Sequence, residues 1–154
     1  MSSKPAHVHV TYIKTTPERL WEALTDGTMT SRYYFGTAVK SDWKPGSPYQ
    51  FTDAQGTVHI EGEVVEADRP RKLVTTFHGL WNDEVRKDKP TMATFEIEPM
   101  GDVCKLTVIH SGFDGETATY NEVAGGWPLL VASLKSLLET GEALSTSQPQ
   151  RASV

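Results

Sequence analysis

His110 is the first residue in this sequence whose type and setting could do chemistry. In "CKLTVIHSGF" (104–113) it alternates with Leu106 and Val108, so a strand there turns it to the same side as those apolar neighbours. An imidazole so placed is either a core residue with both nitrogens satisfied or a polar anchor. As an anchor it would hydrogen-bond a ligand carbonyl or hydroxyl, or act as a general acid or base in a dry cavity. Tyr34, in "RYYFG", carries a polar tip on an apolar body and is open to the same roles. Glu66 is a third candidate, set against the plainer reading of a solvated strand end or an ion pair with Arg69 or Arg71.

Other reactive groups lead nowhere further. Cys104 falls on an inward strand position, where a thiol is inert. His7 and His9 share one side of a strand, but no acidic or thiol partner can be placed beside them, so no metal site is assigned. His59 and His78 read as strand-surface residues, and Glu61, Glu63, Glu96 and Glu98 fall outward, which leaves no carboxylate pair for acid–base work. Gly125-Gly126 lacks the rest of a phosphate-binding loop, and there is no G-x-S-x-G elbow. No catalytic residue, metal or cofactor is assigned, and binding is favoured over catalysis.

The elements that must position these groups follow from patterning. "HVHVTYIK" (7–14) alternates and is rich in β-branched residues, so it reads as a strand. "TTPERLWEALTD" follows as a helix, capped by Thr16 and opened by Pro17, with Leu20, Trp21 and Leu24 as its apolar stripe. A short helical piece is expected at 29–35. Strands are expected at 36–41, 48–53, 57–68, 72–80, 91–99 and 104–113, separated by "KPGSP", "DAQG", "DRPR", "KDKP" and "MGD". Short connections imply an antiparallel meander with one wet face and one buried face.

Near the end, Trp127, Leu130, Val131, Leu134, Leu137 and Leu138 share one face of a helix. A capping box of Thr119 and Glu122 would start it near 119, and Gly141 would end it. Gly125, Gly126 and Pro128 break the rule of that helix. Either the helix begins at Pro128, or it runs through with a kink. In the second case the small residues allow close backbone approach or leave space open above a cavity.

The chain has 154 residues, 38% hydrophobic and 23% charged, which suits one globular domain with a core. A net charge of -5 without a basic stripe argues against nucleic acid as a partner. No apolar run reaches the roughly 18 residues of a membrane span. The single cysteine and the lack of a signal-peptide core point to the cytoplasm. Residues 1–6 are expected to be flexible, 7–143 to form a single domain, and 144–154 to be a disordered tail.

Taken together, "TTPERLWEALTD", "RYYFG", "SDWKPGSPYQF", "GEVVEADRPRKLVTTF", "TFEIEP", "KLTVIHSGF" and "GGWPLLVASLKSLLETG" resemble the START-like helix-grip superfamily (SRPBCC). Within it they are similar to the branch of heat-shock-protein-90 ATPase activator homologues. The resemblance implies an α+β helix-grip fold of the START/Bet-v type. In it a curved seven-stranded antiparallel sheet wraps a long C-terminal helix, with a cavity between them. It further implies a small hydrophobic or aromatic ligand such as a lipid, polyketide or flavonoid-like molecule. The alternatives are an enzyme (cyclase, hydratase or hydrolase) using His110 or Tyr34, and a chaperone ATPase-activating module. A dry pocket of about 300 Å³ would cost about 7 kcal/mol at 24 cal/mol per Å³, so such a space should hold water or a guest, or be partly collapsed. Its expected lining is Tyr34, Phe35, Trp43, Phe51, Phe77, Phe95, His110, Trp127, Leu130, Val131 and Leu134. Exposed strand edges make a homodimer a further expectation.

Overall fold

A computed structural model describes residues 5–144. The expectations for 1–4 and 145–154, including most of the tail, lie outside the described residues. Seven antiparallel strands form one sheet: β1 (His7–Ile13), β2 (Ala38–Ser41), β3 (Pro48–Thr52), β4 (Val58–Asp68), β5 (Lys72–Gly79), β6 (Thr91–Met100) and β7 (Val103–Ser111). Their spatial order is β1-β7-β6-β5-β4-β3-β2, so the meander from β2 to β7 is completed by the first strand lying beside the last. The helices are α1 (Pro17–Thr25), α2 (Gly27–Tyr33), α3 (Asp83–Arg86) and α4 (Ala118–Thr140). This is the α+β helix-grip arrangement. Period-two burial appears most clearly on β7, where Cys104, Leu106, Val108 and His110 are buried and the residues between them are not.

Local chemistry explains most boundaries. Asp26 ends α1 and caps α2, its carboxylate accepting from Thr28 N at 2.7 Å. The expected 29–35 helix therefore begins earlier and stops at Tyr33, and Phe35 turns to φ 53. The four-residue α3 is absent from the sequence reading because one turn is too short to show periodicity. Asn82 caps it by accepting from Val85 N at 2.8 Å.

The glycine–proline question resolves in favour of a continuous helix, since Pro128 lies inside α4. Thr117, not Thr119, caps it, accepting from Tyr120 N at 3.2 Å. Thr119 and Glu122 serve other bonds, described below. A Cβ built on Gly125 or Gly126 meets nothing within 4 Å, so close approach to the sheet is not what these glycines allow. Gly125 is exposed and Gly126 half-buried, so the space beside them opens to solvent.

Both rims of the sheet are met by helix side chains. On β1, Lys135 Nζ donates to Tyr12 O, and Lys14 N–H just beyond the strand donates to Glu139 Oε2 at 2.8 Å. On β2, Val39 N–H donates to Thr30 Oγ1 at 2.9 Å. The rims are thus less open to strand pairing than the sequence suggested.

Candidate functional site

The expected lining residues fall into two aromatic groups. The first gathers around Phe51 of β3: Tyr34 stacks obliquely on it at 4.3 Å and touches Phe35 at 6.0 Å, while Tyr49 meets Phe51 at 6.0 Å and Trp43 at 6.4 Å. Phe35 and Trp43 both hold left-handed φ angles, 53° and 58°, which bulky residues seldom adopt. The hydroxyl of neighbouring Tyr33 donates to Ala23 O at 2.7 Å, and Trp43 Nε1 donates to Thr25 O at 3.0 Å. Burial raises the Tyr34 hydroxyl well above the ordinary tyrosine range, and Tyr49 and Tyr33 add to it, so Tyr34 keeps its proton.

The second group centres on His110. Phe77 meets its ring at 4.6 Å, Phe113 at 4.6 Å and Trp127 at 5.8 Å, and Phe95 reaches Trp127 at 5.9 Å. Leu130, Val131 and Leu134 carry the buried face of α4 away from this group. Of all these residues Phe35, Trp43 and Phe95 retain accessible surface, and the rest are buried. Phe95 is the telling case. It lies inward on β6 between buried Ala93 and Ile97, yet its own cover is incomplete.

Hydrogen bonds fix the state of His110. Trp127 Nε1 can only donate, and it points at His110 Nδ1 from 2.9 Å, so Nδ1 carries no hydrogen. The ring's hydrogen is therefore on Nε2, which donates to Thr91 Oγ1 at 2.7 Å, and Thr91 in turn donates to Phe77 O at 3.2 Å. The chain runs from α4 through β7 and β6 to β5 with every member satisfied. Burial above all, with a smaller push from His7, lowers the His110 pKa to about 3. The ring is neutral at physiological pH and has no bare nitrogen to offer.

Sequence reasoning missed several neighbours. Phe113 is fully buried against His110, although strand parity counted from His110 would send it outward. Gly112, at φ 88, re-aims it after β7 ends. Trp81, Asn82 and Asp88, around α3, tie down the start of α4. Trp81 Nε1 and Asn82 Nδ2 donate to the Glu122 carboxylate at 2.8 and 2.9 Å, and Thr119 N–H and hydroxyl donate to Asp88 Oδ2 at 2.8 and 2.7 Å. His7 Nε2 donates to Tyr120 O at 2.9 Å and its ring stacks on Tyr120 at 4.2 Å. Glu66 lies 4.0 Å from Lys72 rather than on an arginine, because Arg71 takes Asp68 at 2.6 Å. Cys104 is buried, its thiol donates to Thr15 O, and burial raises its pKa, with Glu18 adding a little. Among the described residues no group of three or more His, Cys, Asp or Glu could hold a metal ion. No helix among them is long and apolar enough to cross a membrane.

The model of the family described as "Activator of Hsp90 ATPase homolog 1-like protein" matches residues 14–139. The chain belongs to that family. Solved structures agree on the fold of this Hsp90-activator-homologue-like chain. A protein from Mesorhizobium loti is 24% identical, covering 87% of this chain and 96% of its own, with a TM-score of 0.74. The Aha1 dimer from Colwellia psychrerythraea is 19% identical over 90% of this chain and 99% of its own, with a TM-score of 0.73. An HSP90 activator from Plasmodium falciparum is 21% identical over 86% and 95%, with a TM-score of 0.70. No functionally curated protein matches the sequence.

Proposed function

We propose that this family member binds a small apolar or aromatic molecule between its sheet and α4. The observation that carries the reading is Phe95, an inward-facing ring at the middle of the sheet that keeps accessible surface beside Trp127. Around His110 the guest is held by ring faces and aliphatic carbon, because the polar tips of His110 and Trp127, like those of Tyr33 and Tyr49, are already bonded within the protein. Much of the lining is closed to solvent, so binding draws on a local shift of α4 near Trp127, beyond the first turn held by Trp81, Asn82 and Asp88. Gly125, Gly126 and Pro128, inside the continuous helix, are the weak points that allow that shift. His110 serves the fold rather than turnover.

Native mass spectrometry and a fluorescent apolar probe test this. Uptake of about one equivalent is expected, and Phe95→Gln should weaken it about tenfold, or about 1.4 kcal/mol. Absence of any bound guest by both methods removes the proposal. The family match supports a second reading, stimulation of a cognate chaperone's ATPase. An unchanged ATPase rate with the chaperone from the same source organism would dispose of that one.

A further inference from the structure

The outward face of the sheet, opposite the side covered by α4, carries a groove of about 640 Å³ across β2 to β5. Its wall is a row of register partners. Lys40 faces Gln50, Gln50 faces Glu61, and Glu61 faces His78. These side chains point outward because Val39, Phe51 and Ile60, one position away, point into the core. The floor arises from a lapse in strand pairing, which passes from Glu61–His78 directly to Val64–Thr75. Within the lapse Glu63 N–H donates to the Thr76 side chain at 2.8 Å, and the Tyr49 hydroxyl reaches from β3 to donate to Thr76 O at 2.5 Å. Gly62 lets Tyr49 cross, since a Cβ there would stand 2.7 Å from Tyr49 Cε2.

The polar groups of this groove are not matched to one another. His78 Nε2 lies 2.9 Å from the Arg86 carbonyl, which can only accept, so the ring hydrogen is on Nε2 and the neutral ring has a bare Nδ1. That nitrogen faces Glu61 Oε2 across 3.8 Å. With the ring neutral, two acceptors face each other over a gap too long for a hydrogen bond and suited to a shared donor. Lys40 stands two strands from Glu61, about 10 Å at ordinary strand spacing. Lys40, Gln50 and Asp42 have no side-chain partner among the described residues. Asp42 adds a second carboxylate, so the groove is acidic with one cation at its rim.

We propose that this groove is a second binding site, for a small zwitterion of two- or three-residue peptide length. Its ammonium group is shared by Glu61 and His78 Nδ1, its carboxylate meets Lys40, and the Gln50 amide serves the backbone between them. A single amino acid is too short, because extended chain advances only about 3.3–3.6 Å per residue.

NMR titration with Ala-Ala and Ala-Ala-Ala, following the ring nitrogens of His78, tests the proposal against propylamine and propionate. A saturable shift at Nδ1 is expected with at least one peptide. Glu61→Gln and Lys40→Met should each weaken it about tenfold or more, the scale of a lost charge-assisted contact. Neither single-charge control should reach a tenth of the peptide's affinity. The proposal is overturned by no saturable shift, by propylamine binding as well as the peptides, or by unchanged affinity in either variant. A protonated Nδ1 in the free protein at pH 8, held by Glu61 as a plain ion pair, overturns it too. Both substituted side chains point away from α4, so uptake of the apolar probe stays unchanged and the two proposed sites fail separately.

Discussion

Replacing Thr91 by valine puts the hydrogen-bond chain through His110 to a direct test. Valine keeps the shape of threonine and removes only the hydroxyl that accepts from His110 Nε2 and donates to Phe77 O. A buried N–H is then left without an acceptor, at a cost of about 1–3 kcal/mol. In a domain of this size that corresponds to a fall in Tm of roughly 2–12 °C. The control is His110→Leu. In that background the donor is already gone, so adding Thr91→Val should cost little, and the cycle should show coupling of about 1–2 kcal/mol. Chemical denaturation of wild type, both single variants and the double supplies the numbers. A Thr91→Val variant within about 0.5 kcal/mol of wild type, or one equally costly in both backgrounds, would refute the chain of donors.

Further expectations concern pH and the glycines. His110 has a folded pKa of about 3 against an ordinary 6.5, so the unfolded chain binds the extra proton first. Its contribution is complete above pH 6.5 and is lost as pH falls, at up to about 1.4 kcal/mol per pH unit. His9, also lowered by burial and then by His7, acts in the same direction. Urea midpoints measured from pH 6.5 down to about 5.5, where ordinary carboxylates are still almost fully ionised, should fall, and His110→Leu should flatten that slope. An unchanged slope would assign the effect elsewhere. Gly125→Ala and Gly126→Ala, whose new methyls meet open space, should each stabilise by about 0.5–1 kcal/mol in thermal melts and slow exchange of the apolar probe. Gly62→Ala, whose methyl would press on Thr76 O and Tyr49, should cost about 1–3 kcal/mol and reduce the proportion of folded protein in the same melts.

Much of this fold was legible because it rests on long periodic segments. The alternation in β4, β6 and β7 and the apolar stripe of α4 named the inward residues correctly, His110 among them. What was not legible depended on single bonds or single dihedrals. Thr117 and Thr119 are both plausible caps, and only the carboxylate of Asp88, distant in sequence, decides between them. Phe113 could not be placed from parity, because one left-handed glycine cancels the alternation. The role of His110 was left open between anchor and core residue. Its partners Thr91 and Trp127 sit in other elements, and no local pattern announces that both of its nitrogens are taken. The outward row of Lys40, Gln50, Glu61 and His78 was invisible for the same reason. Each looked like an ordinary surface residue until strand register set the four side by side.

The side chains that close the two rims have a consequence for assembly. With Lys135 and Glu139 reaching one border strand and Thr30 bonded to the other, some of the main-chain groups a neighbouring molecule would recruit are already engaged. A twofold partner has a broad surface to lean on as well. The outward side of β1, with solvent-facing Val8, Val10 and Tyr12 in a line, is the greasiest ground available for it among the described residues. Self-association through that face would be sensitive to substitutions at those three positions.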